Sequence, residues 1–424
     1  MSKNSPATDF NRGQSTAAVK TEKSKPGKPS GDAVPSVVQV TNVEELYREV
    51  NTTTNVGVTI ELQPGLYVLS VNDPNNVARA NGGRLDLQPD MNLVGVIGDQ
   101  SAVTIDTQQL PAQSFALGMF RGASIRVGLG SNAIEWLTII GNAAAGAAIG
   151  TDLSDSSPTT ITVANVNWSE PGTAGRSRAV DIRNLGASMA DRRVDAVIEA
   201  CDFSQGQMGI RFANFDGADR AEIHAVMKNN TCHHNKQGCF LGNNRTDSAI
   251  VDVSSDKDRF VDNDAGCTII GGIVITQSAN SLVSNGNTTA FVARQTTVEN
   301  NGTTLGAPDS GGIVALGGEA PGNPNTTSAN FVSVRLEDCS VQNNLVAKEE
   351  HDFIALGARN TKFTAPTDIA GTHNTVAIEL YDNKPTPNVE QTISLPPEPP
   401  KPTNKITVTT VRRRGDVQPD STPA

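Results

Sequence analysis

Flat aromatic side chains are scarce in this sequence of 424 residues, where Phe, Trp and Tyr together make up 4%. Sugar rings are commonly held by stacking on such side chains, so a saccharide ligand would find few platforms here. Positive charge is short as well: 34 Lys and Arg stand against 45 Asp and Glu, for a formal net charge of -11. That balance argues against nonspecific attraction to nucleic acid or to an anionic membrane surface. No apolar run approaches the ~20 residues a helix needs to cross a bilayer, so no membrane insertion is expected. Cysteine is too sparse for a disulfide frame. Cys201, Cys232, Cys239, Cys267 and Cys339 cannot all pair, and they fall where other repeats carry Phe, Val, Ile or Thr. They read as small core residues in a reducing compartment. Residues 1–36 are polar and rich in Lys, Ser and Pro. They lack the apolar stretch of a secretory signal, so a disordered tail and, by default, a cytoplasmic location are expected.

What the sequence does have is a repeat. Ala200 to Gly206 followed by Gly209-Ile210-Arg211-Phe212 is one copy of a strand, an Asn or Asp turn, a glycine and a second strand. Asn229 to Asn235 with Gly238-Cys239-Phe240-Leu241 is the next, and Lys257 to Asn263 with Gly266-Cys267-Thr268-Ile269-Ile270 follows. Looser copies run from Val298 to Leu316 and from Val341 to Leu356. Gly209, Gly238 and Gly266 are twenty-nine and then twenty-eight residues apart. A period in this range means that each unit buries its apolar side only by stacking on a neighbour, which makes the chain a solenoid. An amphipathic helix over Val43–Val50, with Asn42 as its N-cap, would close the open end of the stack. Gly-, Ser-, Asn- and Pro-rich stretches near residues 143–160, 280–289, 303–310 and 319–328 break the period as insertions. The expected organisation is a tail over 1–36, one repeat domain over 37–383, and a Pro-rich linker, short strand and tail over 384–424.

In such a stack equivalent residues lie about 4.8 Å apart in columns. One column reads Cys201, Asn230, Asp258, Thr296, Cys339, and another Gly206, Asn235, Asn263, Asn301, Asn344. Asparagine tolerates left-handed turn geometry and its amide can donate up and accept down a column, so these residues are expected to build a ladder. Glu199, Lys228, Asp256, Arg294 and Glu337 alternate in sign and should fix coil order. On the second strand the inward pairs are read as Ile210/Phe212, Cys239/Leu241, Thr268/Ile270, Val314/Leu316 and Ile354/Leu356. The outward column is then Arg211, Phe240, Ile269, Ala315, Ala355, with Asp181 beside Arg211. Its apolar part invites a covering loop or an oligomer contact.

Val58-Thr59-Ile60-Glu61-Leu62-Gln63-Pro64-Gly65-Leu66-Tyr67, followed by Asn-laddered coils, resembles the right-handed parallel β-helix proteins of the pectin-lyase-like superfamily. The resemblance implies an all-β, single-stranded right-handed parallel β-helix over about Val37 to Asn383. It also implies a polysaccharide or other extended ligand, with polysaccharide lyases, glycoside hydrolases, epimerases, tail spikes and adhesins among the functions the fold hosts. The catalytic phrases of those enzymes are not reproduced. Val197-Ile198-Glu199-Ala200-Cys201-Asp202-Phe203-Ser204 is similar to the pectate-lyase strand, yet Glu199 and Ala200 stand where that phrase has Asp and His. Glu350-His351-Asp352 matches half of the epimerase Asp-Pro-His-Asp phrase.

Elimination beside a uronic carboxylate needs a basic residue and a cation to neutralise the carboxylate, whereas hydrolysis needs two acids in one groove. The candidate catalytic set is His233, His234 and Lys236 with Asp262 and Asp264 one coil later. These could supply a base with an orienting acid, or a metal site of two imidazoles with carboxylates, or be a solvated turn whose charges happen to oppose one another. Asp181, Arg211 and Arg245 are candidate substrate-binding residues, Asp181 and Arg211 alternatively an ordinary pair finishing the sheet face. The Asp-rich run Asp247, Asp252, Asp256, Asp258, Asp262, Asp264 raises calcium, but lacks the ligand order of an EF-hand, so no cofactor is assigned. The reading is a carbohydrate-associated β-helix, of lyase or hydrolase type or else a noncatalytic binding solenoid.

Overall fold

The computed structural model of the protein describes residues 36–115, 122–151, 153, 155–171, 177–274, 282–302, 311–321, 326–346, 349–350, 352–360, 371–392 and 403–411. The tails at 1–35 and 412–424, His351 and parts of the expected insertions lie outside them. The described chain opens with the strand Val37–Val40 and the helix Val43–Asn51. Asn42 caps this helix as its sequence foretells: its Oδ1 accepts the Glu45 amide at 3.0 Å, while the Glu45 carboxylate takes the Thr41 amide at 2.8 Å. One orphan donor of the first turn is thereby satisfied, and the amide of the residue before the cap is held as well. Leu46, Tyr47 and Val50 face inward and are buried.

Three strands then make each coil. In one coil they are Arg193–Glu199, Asp202–Ser204 and Met208–Phe215, and in the next Glu222–Lys228, Thr231–His233 and Gln237–Asn244. Each strand pairs in parallel with its counterpart one coil on, so that Phe203, Cys232, Phe260, Val298 and Val341 form one core column. The first two strands of the coils join one large sheet and the third strands build a second sheet of eleven. Crossovers between parallel strands are right-handed almost without exception. The fold is the parallel β-helix that the superfamily resemblance implies. Val389–Thr392 and Lys405–Val411 add a strand to each sheet beyond Asn383.

The corners explain the repeat. Gln205, His234, Asp262, Asn300 and Asn343 all sit at φ between 54° and 65°, a left-handed conformation that costs a non-glycine residue of order 1 kcal/mol or more. The residue after each one completes a ladder that holds the corner. Asn235 Oδ1 accepts the Gly206 amide at 2.9 Å, Asn263 Oδ1 that of Asn235 at 2.9 Å, Asn301 that of Asn263 at 3.0 Å and Asn344 that of Asn301 at 3.1 Å. The glycines stand where this corner meets the next coil. A Cβ on Gly238 would lie 2.7 Å from the Gly266 carbonyl oxygen and 3.2 Å from Asn263 Nδ2. The other expected column also bonds along the stack, with the Asn230 side chain taking the Cys201 amide and Asp258 that of Asn230. The alternating charges pair as expected, Lys228 with Glu199 at 3.0 Å and Arg294 with Glu337 at 2.8 Å.

The second sheet departs from the sequence reading. Ile210, Cys239, Cys267, Ile313 and Phe353 are in register, as are Phe212, Leu241, Ile269, Ala315 and Ala355. These two columns point into the core. Thr268/Ile270, Val314/Leu316 and Ile354/Leu356 point outward, the reverse of the expectation. The cause is that the strand Ala265–Ile273 is buried at every position, so alternation no longer tells inside from outside. Ile270, Ile273, Val314, Leu316, Ile354 and Leu356 form an apolar cluster of their own on the outer face, with Phe240 against it. The six side chains of the cluster are at most 9% exposed within the single chain, and Phe240 is half-buried beside them.

Candidate functional site

The outward column of the second sheet changes character along the stack. In register it runs Asp86, Arg126, Gly150, Asp181, Arg211, and then Phe240, Thr268, Val314, Ile354. Its charged half is a cluster of guanidinium groups. Arg211 forks onto Asp181 through Nε at 2.7 Å and Nη2 at 2.5 Å, a bidentate pair. Arg183 reaches the same carboxylate at 3.8 Å, and Arg126 binds Asp86 at 2.5 Å. Arg84 stands 4.0 Å from Asp86. Arg178, three residues before Asp181 on the same strand, donates to the Gly146 carbonyl at 3.1 Å.

Most of these charges are out of water. Asp181 is 2% exposed and Arg211 5%. Burial works against the Asp181 charge, but Arg211 and Arg183 overcome it and hold the carboxyl well below the usual carboxylate range. Burial pushes the Arg178 guanidinium down to about 9, with Arg211 and Arg183 adding to the effect. It is still a cation at neutral pH. Bidentate Arg–carboxylate pairs are strong, fixed contacts, and removing one partner of a buried pair leaves an uncompensated charge.

Gly150 is the one position of the charged half with no side chain. Around it opens a small cleft lined by Gly122, Ala123, Arg126, Ala147, Thr151, Leu153, Asp181 and Arg183. A Cβ at Gly150 would come within 2.8 Å of the Ala123 Cβ. Among the described residues, Arg84 Nη1, Arg126 Nε and Arg178 Nε are buried N–H groups with no hydrogen-bond partner. Buried donors are rarely left unmade, because each costs about 1–3 kcal/mol. A ligand that brings acceptor oxygens would satisfy them.

The other sequence candidates lie elsewhere. His233 ends the strand Thr231–His233 of the large sheet. Its Nδ1 is 2.7 Å from His234 Nδ1, and its Nε2 is 2.9 Å from Asp202 Oδ1 one coil back. The orienting acid is therefore Asp202. Asp262 shares the left-handed corner with His234, and Lys236 and Asp264 bond to the neighbouring coil through their main-chain amides. No hydrogen bond or ion pair links Lys236, Asp262 or Asp264 to either imidazole among the described residues. Arg245 forms an ion pair with Asp216 at the rim of a shallow depression that also includes Asp219 and Asp247. Among the described residues no three His, Cys, Asp or Glu side chains are grouped to hold a metal ion.

Asp181 and Arg211 are thus the sequence candidates that the fold brings together with further charges. Arg84, Asp86, Arg126, Arg178 and Arg183 were missed. Asp86 and Arg126 lie in the same column, in coils too degenerate to align from the sequence, and Arg84, Arg178 and Arg183 lie off it.

No protein-family model matches the chain, and no curated protein matches it. Solved structures do. The A-modules of the mannuronan C-5 epimerases AlgE6 and AlgE4 from Azotobacter vinelandii are 11% and 12% identical and each cover 88% of this chain. The match spans 99% and 97% of those chains, with TM-scores of 0.37 and 0.33. The surface protein and adhesin PfbA of Streptococcus pneumoniae is 11% identical over 87% of this chain and 94% of its own, with a TM-score of 0.30. The likeness is one of fold alone.

Proposed function

We propose that this protein is a carbohydrate-associated β-helix that binds an acidic polysaccharide across the second sheet, with one acidic oxygen reaching into the small cleft at Gly150. The observation that carries the reading is that Arg126, whose Nε is buried without a hydrogen-bond partner, lines with Arg183 a cleft at a position that has no side chain. Guanidinium forks match carboxylate oxygens in geometry and charge. Asp181 has a supporting role, since it remains ionised and fixes Arg211. A guanidinium face also recognises a sugar without the aromatic platforms that the chain lacks.

Of the two reactions the resemblance implies, elimination suits this face and hydrolysis does not. Asp86 and Asp181 are three strand steps apart, about 14 Å, beyond the roughly 6.5–9.5 Å that inverting hydrolysis needs. In elimination a base removes the proton beside the uronate carboxyl, the glycosidic oxygen leaves with a proton, and a carbon–carbon double bond forms. The arginines would neutralise the carboxyl. Arg178 is a cation at neutral pH and joins them, and the imidazole that could act as a base, His233 held by Asp202, lies on the other sheet. A noncatalytic binding solenoid is the second reading, favoured by the exposed corner on which His234 sits.

Titration calorimetry of the purified chain with uronate polymers tests the assignment. Binding that weakens with salt, with Arg126→Gln and Arg211→Gln each weakening it about tenfold or more, is expected. Equal affinity for neutral glycans, or binding indifferent to both variants, would overturn it. Ultraviolet absorbance from an unsaturated uronate end separates a lyase from the noncatalytic reading.

A further inference from the structure

The two ends of the stack are finished differently. At the first end the helix Val43–Asn51 buries Leu46, Tyr47 and Val50 against the core. At the other end the last strand of the large sheet, Lys405–Val411, pairs on one side with Thr375–Tyr381. Nothing pairs with its other side among the described residues. Ile406 and Val408 pack on the core yet are only partly buried, and Thr407, Thr409, Thr410 and Val411 are exposed.

The free edge is defined atom by atom. The Lys405 amide donates back to the Asn374 carbonyl at 2.8 Å, and the Val411 carbonyl accepts from the Asp382 amide. In a parallel pair both main-chain groups of a residue face the same neighbour, and alternate residues face opposite ways. Lys405, Thr407, Thr409 and Val411 therefore use their main-chain groups within the sheet. Those of Ile406, Val408 and Thr410 point away from it. This edge has seven residues with a single charge, no proline and no bulge, none of the usual devices that prevent strand addition.

We propose that this edge is a dimer interface at which a second copy of the chain adds its own Lys405–Val411 strand, antiparallel about a two-fold axis through Val408. The register is self-complementary. Val408 faces Val408, and Ile406 faces Thr410, so that every outward N–H and C=O of the three residues finds a partner. Lys405 falls opposite Val411, so no like charges meet. Ile406 and Val408 of the two copies lie on the same face and close the two cores against each other. Residues 412–424 contain one aliphatic side chain larger than alanine, Val417. Head-to-tail stacking would have to add this seven-residue strand to the outermost strand of the first end, Val37–Val40, which offers only four residues. A closed pair follows in place of a filament.

Sedimentation equilibrium of the full chain should show a monomer–dimer equilibrium with no larger species. Thr410→Pro removes an outward N–H while leaving the bonds to Thr375–Tyr381 intact, and should weaken dimerisation about tenfold or more. Its thermal unfolding should match that of the parent at a dilution where both are monomers. Hydrogen exchange provides a readout free of mutation: the Ile406, Val408 and Thr410 amides should gain protection as concentration rises. A chain that stays monomeric, one that forms open-ended polymers, or a dimer in which these three amides exchange as fast as in the monomer would overturn the proposal.

Discussion

Asp258 shows how much a single residue can reveal about this fold. It occupies a ladder position where neighbouring coils carry Cys201, Asn230 and Thr296, and it is fully buried. Its carboxyl accepts the Asn230 amide at 2.8 Å and the Ser255 hydroxyl at 2.6 Å. Burial nonetheless raises its pKa to about 6. The ionised form is thus disfavoured in the folded chain relative to the unfolded one. Stability from this group is complete below about pH 4, declines as the pH rises to about 6, and is flat above. The full effect is on the order of 3 kcal/mol. Asp258→Asn should stabilise the protein at pH 7 and change little near pH 4, and thermal melts at the two pH values would show it. An asparagine variant less stable at both would mean that the carboxylate is a needed ion. The thiols follow the same logic. Burial pushes Cys201 up to about 12 and Cys339 up to about 11, and Cys232, Cys239 and Cys267 are raised too. Since the thiolate is the reactive species, all five should resist alkylation until the chain unfolds. Rapid labelling of the native protein would contradict the core assignment.

The coil was the most legible element. Turn asparagines at a constant offset from a glycine can be recognised without coordinates, because left-handed corners restrict residue choice. Two further ladders escaped that reading. Asn184, Asn214 and Asn243 bond in sequence at 2.8 and 2.9 Å, and Asn287, Asn330, Asn374 and Asn404 form another line along the stack. Insertions stretch the spacing of the second to more than forty residues at two of its steps, which hides the period. The inside-out reading of the second sheet has a different cause, since outer and inner faces are equally apolar from Ile270 to Leu356. The ladders also predict a cost. Asn263 accepts the Asn235 amide and donates to the Cys232 carbonyl at 2.9 Å and to Asn301 at 3.1 Å. Asn263→Ala should lower stability by about 2–4 kcal/mol in denaturant melts, because the buried Asn235 amide and Cys232 carbonyl lose this partner at once, while Asn301 keeps only the Asn263 main-chain amide. A loss under about 0.5 kcal/mol, the usual surface value, would mean that the ladder is incidental.

At the scale of the molecule, charge is distributed against the average. The chain is acidic overall, yet the outer face of the second sheet gathers Arg84, Arg126, Arg178, Arg183 and Arg211 around Asp86 and Asp181. The arginines come from three different strands and the segment just before a fourth, so no short motif announces them. Only Asp181 and Arg211, adjacent in the last well-formed coils, were within reach of the sequence. The acidic remainder would repel a polyanion and leave the cleft as its place of attachment. The most direct measurement is a crystal structure with a bound oligouronate. Carboxylate oxygens about 2.7–2.9 Å from the guanidinium groups of Arg126, Arg178 or Arg211, with the chain crossing at Gly150, are the expected result. A saccharide seated on the large sheet at His233 and Asp202, with the cleft at Gly150 unfilled, would contradict it.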